Sequence, residues 1–146
     1  MKNYVITLKP TWLYQIMHGG KDVENRLFRP IYKGQSLVGK RVLLHCSVNE
    51  NWQLVNHFGI DSRLIMPMKG MICASAMVSG AIRVKNGKLE RFGIGVNDAI
   101  MYEKSEWYRD GYWGWILKDV FEVRKVKAKG RLSVWIYEGD VQGVLL

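Results

Sequence analysis

The chain opens on Tyr4-Val5-Ile6-Thr7-Leu8, a β-branched and aromatic run that reads as a first strand. Pro10 and Thr11 then supply helix-start chemistry, and Trp12, Leu13, Ile16 and Met17 recur at the spacing of one apolar helix face. Gly19-Gly20 can end that helix in a left-handed turn. Lys21 to Leu27 is extended and polar, a long loop with Pro30 and Gly34 follows, and Arg41 to Cys46 reads as a buried strand. Ser47 and Glu50 fit an S-x-x-E capping box, and Val48, Trp52 and Val55 give one apolar face before Gly59, which predicts a second helix.

Met71 to Val78 is strand-like. The clearest local signal is Ile82-Arg83-Val84-Lys85, Asn86-Gly87, Lys88-Leu89-Glu90-Arg91. A two-residue Asn-Gly turn there pairs Val84 with Leu89 and Arg83 with Glu90, apolar against apolar and cation against anion. Tyr112 to Val123 and Lys125 to Tyr137 read as two more strands, with Trp113 and Trp115 on one face around Gly114 and Trp135 in the core. Six or seven strands and two or three short helices, the helices clustered early, predict an α+β domain around a small, mainly antiparallel barrel. No linker or repeat divides the chain, and a single domain over 1–146 is expected.

Charge changes this picture more than composition does. Lys plus Arg number 22 against 13 Asp plus Glu, a formal +9, in a chain that is 48% hydrophobic by residue count. That composition excludes a disordered chain, and the charge favours polyanionic partners, nucleic acid ahead of an anionic membrane surface. No apolar stretch approaches the ~20 residues of a membrane helix. The N-terminus runs into strand sequence without a signal-like apolar core, so the expected compartment is the cytoplasm. Cys46 and Cys73 stand apart, without metal-ligand spacing, and read as buried reduced thiols; His45 reads as a hydrogen-bonded core residue.

Two segments carry candidate chemistry. Gly19-Gly20-Lys21-Asp22-Val23-Glu24-Asn25-Arg26 fits G-x-K-x-x-E-x-R at every fixed position. It places two cations around one anion, an arrangement that fixes side chains and leaves donors for a phosphate or a base edge; the same trio would also serve as a buried ion-pair clamp. Lys125, Lys127, Lys129 and Arg131 alternate with Val126 and Ala128, so a strand there shows four cations on one face, ~6.6 Å apart. Such a row suits the phosphates of a single nucleic-acid strand, or equally protects an edge strand against aggregation. Arg26, Arg29, Lys33, Lys40 and Arg41 form a second basic set with Tyr32 among them, a pairing of cation and ring that suits unpaired bases.

The octapeptide, preceded by Lys9-Pro10-Thr11-Trp12 and followed by His45-Cys46-Ser47, resembles the signature of the ASCH family, whose members have a PUA-like β-barrel. Tyr112-Trp113-Gly114-Trp115-Ile116-Leu117 and Lys129-Gly130-Arg131-Leu132-Ser133-Val134-Trp135 resemble that family's later strands. The resemblance implies a cleft lined by the motif residues Gly19, Gly20, Lys21, Glu24 and Arg26, with Trp12 on the flanking helix; the basic sets add Arg29 and Lys33 as ligand-binding residues and Lys125, Lys127 and Lys129 as backbone contacts. It implies RNA binding ahead of DNA binding. An alternative is a ribonuclease acting on single-stranded RNA, with Lys21 stabilising charge on phosphorus, Tyr32 or Ser105 assisting, and a divalent cation such as Mg2+ as its accompanying ion. A third implied reading, an amidohydrolase of acylated nucleosides, belongs to a branch with Thr where this chain has Glu24, and pairing with Glu24 would keep Lys21 protonated. No resident cofactor or metal site is expected.

Overall fold

The computed structural model describes residues 1–143. Its elements run β1 (Lys2–Leu8), α1 (Pro10–His18), β2 (Val23–Arg26), β3 (Ile31–Tyr32), β4 (Gln35–Ser36), β5 (Arg41–Cys46), α2 (Trp52–Phe58), α3 (Ser62–Ile65), β6 (Met71–Lys85), β7 (Lys88–Phe92), α4 (Val96–Glu103), β8 (Trp113–Lys127) and β9 (Val134–Glu138). This is an α+β fold with a mostly antiparallel sheet. The hydrogen-bonded strand order is β2-β8-β6-β5-β1-β9, with β7 on β6. β1 runs parallel to β5 and antiparallel to β9, while β2–β8 and β6–β7 are antiparallel. Among the described residues that path ends at β2 and β9 without closing, and no helix is long and apolar enough to cross a membrane.

The chain forms two compact units, each assembled from separate stretches: unit 1 is Met1–Gly20, Val42–Ala76 and the chain from Val120 on, and unit 2 is Lys21–Arg41 and Met77–Asp119. Unit 1 packs Val5, Leu43, Ile72, Val123 and Trp135 into one cluster, with Val126 and Ala128 against it. A polar chain runs beside that cluster. Trp135 Nε1 donates to Thr7 Oγ1 at 3.0 Å, Thr7 Oγ1 lies 3.3 Å from His45 Nδ1, and His45 Nε2 lies 2.6 Å from the Ala128 carbonyl. A carbonyl only accepts, so His45 Nε2 carries a proton and donates to Ala128. His45 and Trp135 are therefore core residues, and Cys46 and Cys73 are buried free thiols.

Unit 2 packs Val23, Ile82, Ala99, Tyr108 and Ile116. The hairpin register is the one the Asn-Gly turn predicts: Val84 opposite Leu89, Arg83 opposite Glu90. Both Asn86 and Gly87 have positive φ, at 52° and 75°, as a type I′ turn requires. Gly114 permits a close approach, since a Cβ there would meet Tyr108 Cδ1 and Val23 Cγ1, each at 2.7 Å. Tyr108 repays that approach by accepting from the Val84 N–H at 2.7 Å and donating to the Tyr112 carbonyl at 2.9 Å.

Several expectations are corrected. The second helix starts at Trp52, because Asn51 supplies the cap: its side chain accepts from Gln53 and Leu54 N–H groups. Glu50 instead buries its carboxylate 2.7 Å from Lys69 Nζ, and Ser47 Oγ accepts from Asn49. Val48 and Trp52 are 66% and 51% exposed, leaving Val55 as the buried member of that face. The helices do not all cluster early, and they number more than three: α3 is capped by Asp61, and α4 comes after the hairpin. The Pro30–Gly34 loop contains a small hairpin, β3–β4, turning on Lys33 and Gly34, both at positive φ. The last basic stretch divides otherwise than expected: β8 carries through to Lys127 and β9 begins at Val134.

Candidate ligand-binding site

The G-x-K-x-x-E-x-R motif spans the end of α1 and the start of β2. Gly20, at φ 75°, turns the chain out of the helix. Strand β2 then alternates. Val23 and Asn25 face the apolar cluster beside Ile116 and Gly114, while Glu24 and Arg26 face Trp115 and Trp113 across the ladder. Lys21, in the turn before the strand, swings to the Glu24 side: its Nζ lies 3.5 Å from Glu24 Oε1, and Arg26 Nη1 lies 3.4 Å from Glu24 Oε2. Lys21 Nζ also donates to the Val23 carbonyl and lies 5.7 Å from the centroid of the Trp107 ring.

Two of the trio are interior, and Arg26 is half-buried. Lys21 is 4% exposed and Glu24 7%. Lys21, expected to line a cleft, is instead covered, and the cover is aromatic: Trp107 and Trp115, some ninety residues further along the chain, lie against the trio's cations. Burial pushes the Lys21 ammonium below its ordinary range, against the pull of Glu24, and the charge of Arg109 pushes the same way. Burial likewise pushes the Glu24 carboxyl above its ordinary range, against Lys21 and Arg26. A buried triad with these opposing tendencies is a clamp that depends on all its members.

The intervening motif residues hold the turn that covers the triad. Ser105 Oγ donates to Asp22 Oδ1 at 2.8 Å and accepts from the Trp107 N–H at 3.2 Å. Asn25 Nδ2 donates to the Trp107 carbonyl at 2.8 Å, and Asn25 Oδ1 accepts from the Arg109 N–H at 3.2 Å. Sequence reasoning singled out Ser105 as a catalytic candidate but missed Asp22, Asn25, Trp107 and Arg109. The signal that could have found Asp22 and Asn25 is their type, since each can fasten a loop by its side chain.

The other basic positions of unit 2 disperse. Arg41 pairs with the Asp119 carboxylate and carbonyl. Lys33 lies 5.5 Å from the Tyr32 ring centroid, at the β3–β4 turn. Arg29 stands in an open pocket of about 430 Å³ whose walls include Phe28, Arg83, Glu90, Arg91 and Trp113. The triad supports this pocket indirectly: Arg26 lies over the Trp115 ring at 5.7 Å, and Trp115 Nε1 donates to the Phe28 carbonyl at 2.7 Å.

Trp12, Gly19, Gly20 and the cationic row belong to unit 1. Trp12 is half-buried and packs edge-on against Phe58 with centroids 5.8 Å apart. In the row, Lys125, Lys127, Lys129 and Arg131 are exposed and alternate with half-buried Val126, Ala128 and Gly130. The alternation outlasts the strand, because Ala128 N–H donates to the Gly70 carbonyl at 3.1 Å and holds the chain extended beyond Lys127. Among the described residues no group of three or more His, Cys, Asp or Glu side chains is placed to hold a metal ion. No model of a protein family matches the chain, and no curated protein matches it.

Proposed function

We propose that this chain is an ASCH-type module of PUA-like architecture that binds single-stranded RNA electrostatically. The observation that carries this reading is the row Lys125, Lys127, Lys129 and Arg131, exposed at every second residue on unit 1. Edge protection explains such lysines where backbone donors stand open. Here the Arg124 N–H is taken by the Gln142 carbonyl and the Ala128 N–H by that of Gly70, so two of the donors that edge lysines would guard are already satisfied. The motif residues Lys21, Glu24 and Arg26 brace strand β2 within unit 2. The strand-cleaving reading draws on Lys21 and Ser105, whose polar groups are engaged within unit 2, and the amidase reading on a Thr where this chain has Glu24; neither is adopted.

The test is a fluorescence anisotropy titration of a labelled single-stranded RNA at several salt concentrations. Four phosphate contacts on a single strand predict a slope of log K against log salt of roughly −3. Replacing Lys125, Lys127 and Lys129 together by Glu should abolish most of that slope and weaken all sequences about equally. Affinity and slope unchanged by the triple replacement would overturn the proposal.

A further inference from the structure

The pocket of unit 2 uses residues separate from the cationic row, and its chemistry is more specific. Arg83 and Glu90 form its fixed part. The two are opposed across the hairpin, Arg83 Nε and Nη2 donate to the two Glu90 oxygens at 3.0 Å each, and the guanidinium lies 4.7 Å from the Trp113 ring centroid. A doubly bonded fork stacked on a buried indole has little freedom left.

Above that part stand groups with unused capacity. The Arg29 guanidinium rests over the Phe92 ring at 5.3 Å and makes no hydrogen bond or ion pair among the described residues. Arg91, opposite Ile82 and so on the hairpin's other face, spends Nη1 on the Ile94 carbonyl at 2.8 Å. Phe28 is 68% exposed, and its ring meets no other ring or cation among the described residues. Its backbone is nevertheless pinned by Trp115 Nε1, so the ring is presented by an anchored loop. An arginine with all its donors free suits an oxyanion. An uncovered aromatic ring beside it suits a flat heterocycle. A group carrying both is a nucleotide.

We infer that this pocket binds a nucleoside monophosphate, its phosphate held by Arg29 and its base stacked on Phe28. The same chemistry is offered by a free mononucleotide and by the 5′-phosphorylated end of an RNA strand. The inference goes beyond the strand-binding reading, because one pocket recognises one nucleotide whether or not the row recognises a strand.

Calorimetric titration with 5′-AMP, adenosine and inorganic phosphate tests the chemistry, and Phe28→Ala and Arg29→Ala test the residues. Both side chains are exposed, so both variants should keep the wild-type melting temperature. The expected result is binding of 5′-AMP in preference to adenosine and to phosphate, weakened about tenfold or more by either replacement. In the Lys125/Lys127/Lys129→Glu background, a 5′-phosphorylated hexanucleotide compared with its 5′-hydroxyl form distinguishes the sources: a phosphorylated hexamer far tighter than 5′-AMP assigns the strand end, and equal affinities assign the free nucleotide. Either supports the pocket. The inference is overturned if neither 5′-AMP nor the phosphorylated hexamer binds in that background. It is equally overturned if phosphate alone binds as well as 5′-AMP, or if both replacements leave affinity unchanged. Loss of RNA affinity in the triple variant with 5′-AMP binding intact upholds the row and the pocket separately; RNA affinity unchanged in that variant with 5′-AMP binding intact sinks only the row.

Discussion

Replacing Lys21 by Met removes one charge from a buried triad while keeping most of the side-chain volume, and it should destabilise the protein rather than disarm it. Glu24 faces cations at 3.5 and 3.4 Å. At an effective dielectric of about 20, each such contact is worth about 5 kcal/mol before desolvation is charged against it. The replacement leaves Arg26 alone to satisfy a carboxylate that is only 7% exposed. Stripping one partner from a buried pair costs ~3–5 kcal/mol; with Arg26 retained, the low end is expected, about 3 kcal/mol, or ~6–12 °C in melting temperature. The deficit should depend on pH in a defined direction. Burial holds the Glu24 carboxyl above its ordinary value of 4.5, and losing Lys21 raises it further. In the unfolded chain Glu24 ionises near 4.5, so as pH rises above that value the unfolded state sheds a proton that the folded variant keeps. The variant therefore loses stability relative to wild type with rising pH, and regains it in acid, where Glu24 is protonated in both proteins. Urea denaturation at pH 4.5 and pH 7 measures this directly. Adding Glu24→Leu to Lys21→Met should recover at least half of the loss, since no buried carboxylate is then stranded and the half-buried Arg26 keeps its place over the Trp115 ring. A deficit under about 1 kcal/mol at pH 7, the scale of an exposed pair, or one indifferent to pH, would refute the clamp.

Burial pushes the Cys46 thiol up to about 12 and the Cys73 thiol up to about 11, from an ordinary 9.0. Iodoacetamide at pH 8 should therefore leave both unmodified in the native protein and alkylate both in urea; rapid native labelling would contradict their burial. Because the unfolded chain releases these protons near pH 9 and the folded chain retains them, stability should fall as pH climbs from 9 towards 11, and a flat denaturation profile there would argue against it. Gly114→Ala drives a Cβ within 2.7 Å of both Tyr108 and Val23 and should cost roughly 1–3 kcal/mol, read as a melting temperature lowered by several degrees; an unchanged melt would mean that Tyr108 yields freely.

How far the fold was legible depended on whether a signal was local. The Asn86-Gly87 hairpin was read to the residue because both turn positions need positive φ and Asn-Gly supplies it without help. Lys33-Gly34 makes the same turn, with Lys33 at φ 47°, but Lys is no turn signal and the small hairpin was read as loop. The second helix failed for a different reason. Ser47 and Glu50 offered a cap, yet Asn51 stood closer to the helix and Glu50 found Lys69, so a tertiary ion pair overrode a local motif. α4 escaped notice because Ala99 is its one buried residue, which leaves no apolar stripe to detect.

The site was legible in its residues and not in its depth. Lys21, Glu24 and Arg26 do converge, as their spacing implied, but whether two cations around one anion await a phosphate or brace a strand is decided by what covers them. The cover here comes from Trp107 and Trp115, and no short window of sequence contains both the triad and its lid. The same geometry explains why a support and a ligand pocket are found so near one another in unit 2. Glu24 orients Arg26, Arg26 lies on the Trp115 ring, and the Trp115 N–H fixes the carbonyl of Phe28, the residue that presents its ring beside Arg29. A change at Lys21 should thus reach the pocket only through loss of folded protein or through the setting of that loop, whereas a change at Arg29 acts on the ligand itself. Affinity for 5′-AMP per folded molecule separates the two: Lys21→Met, assayed at a temperature where it remains folded, should fall less than Arg29→Ala, and the reverse order would place Lys21 among the ligand contacts.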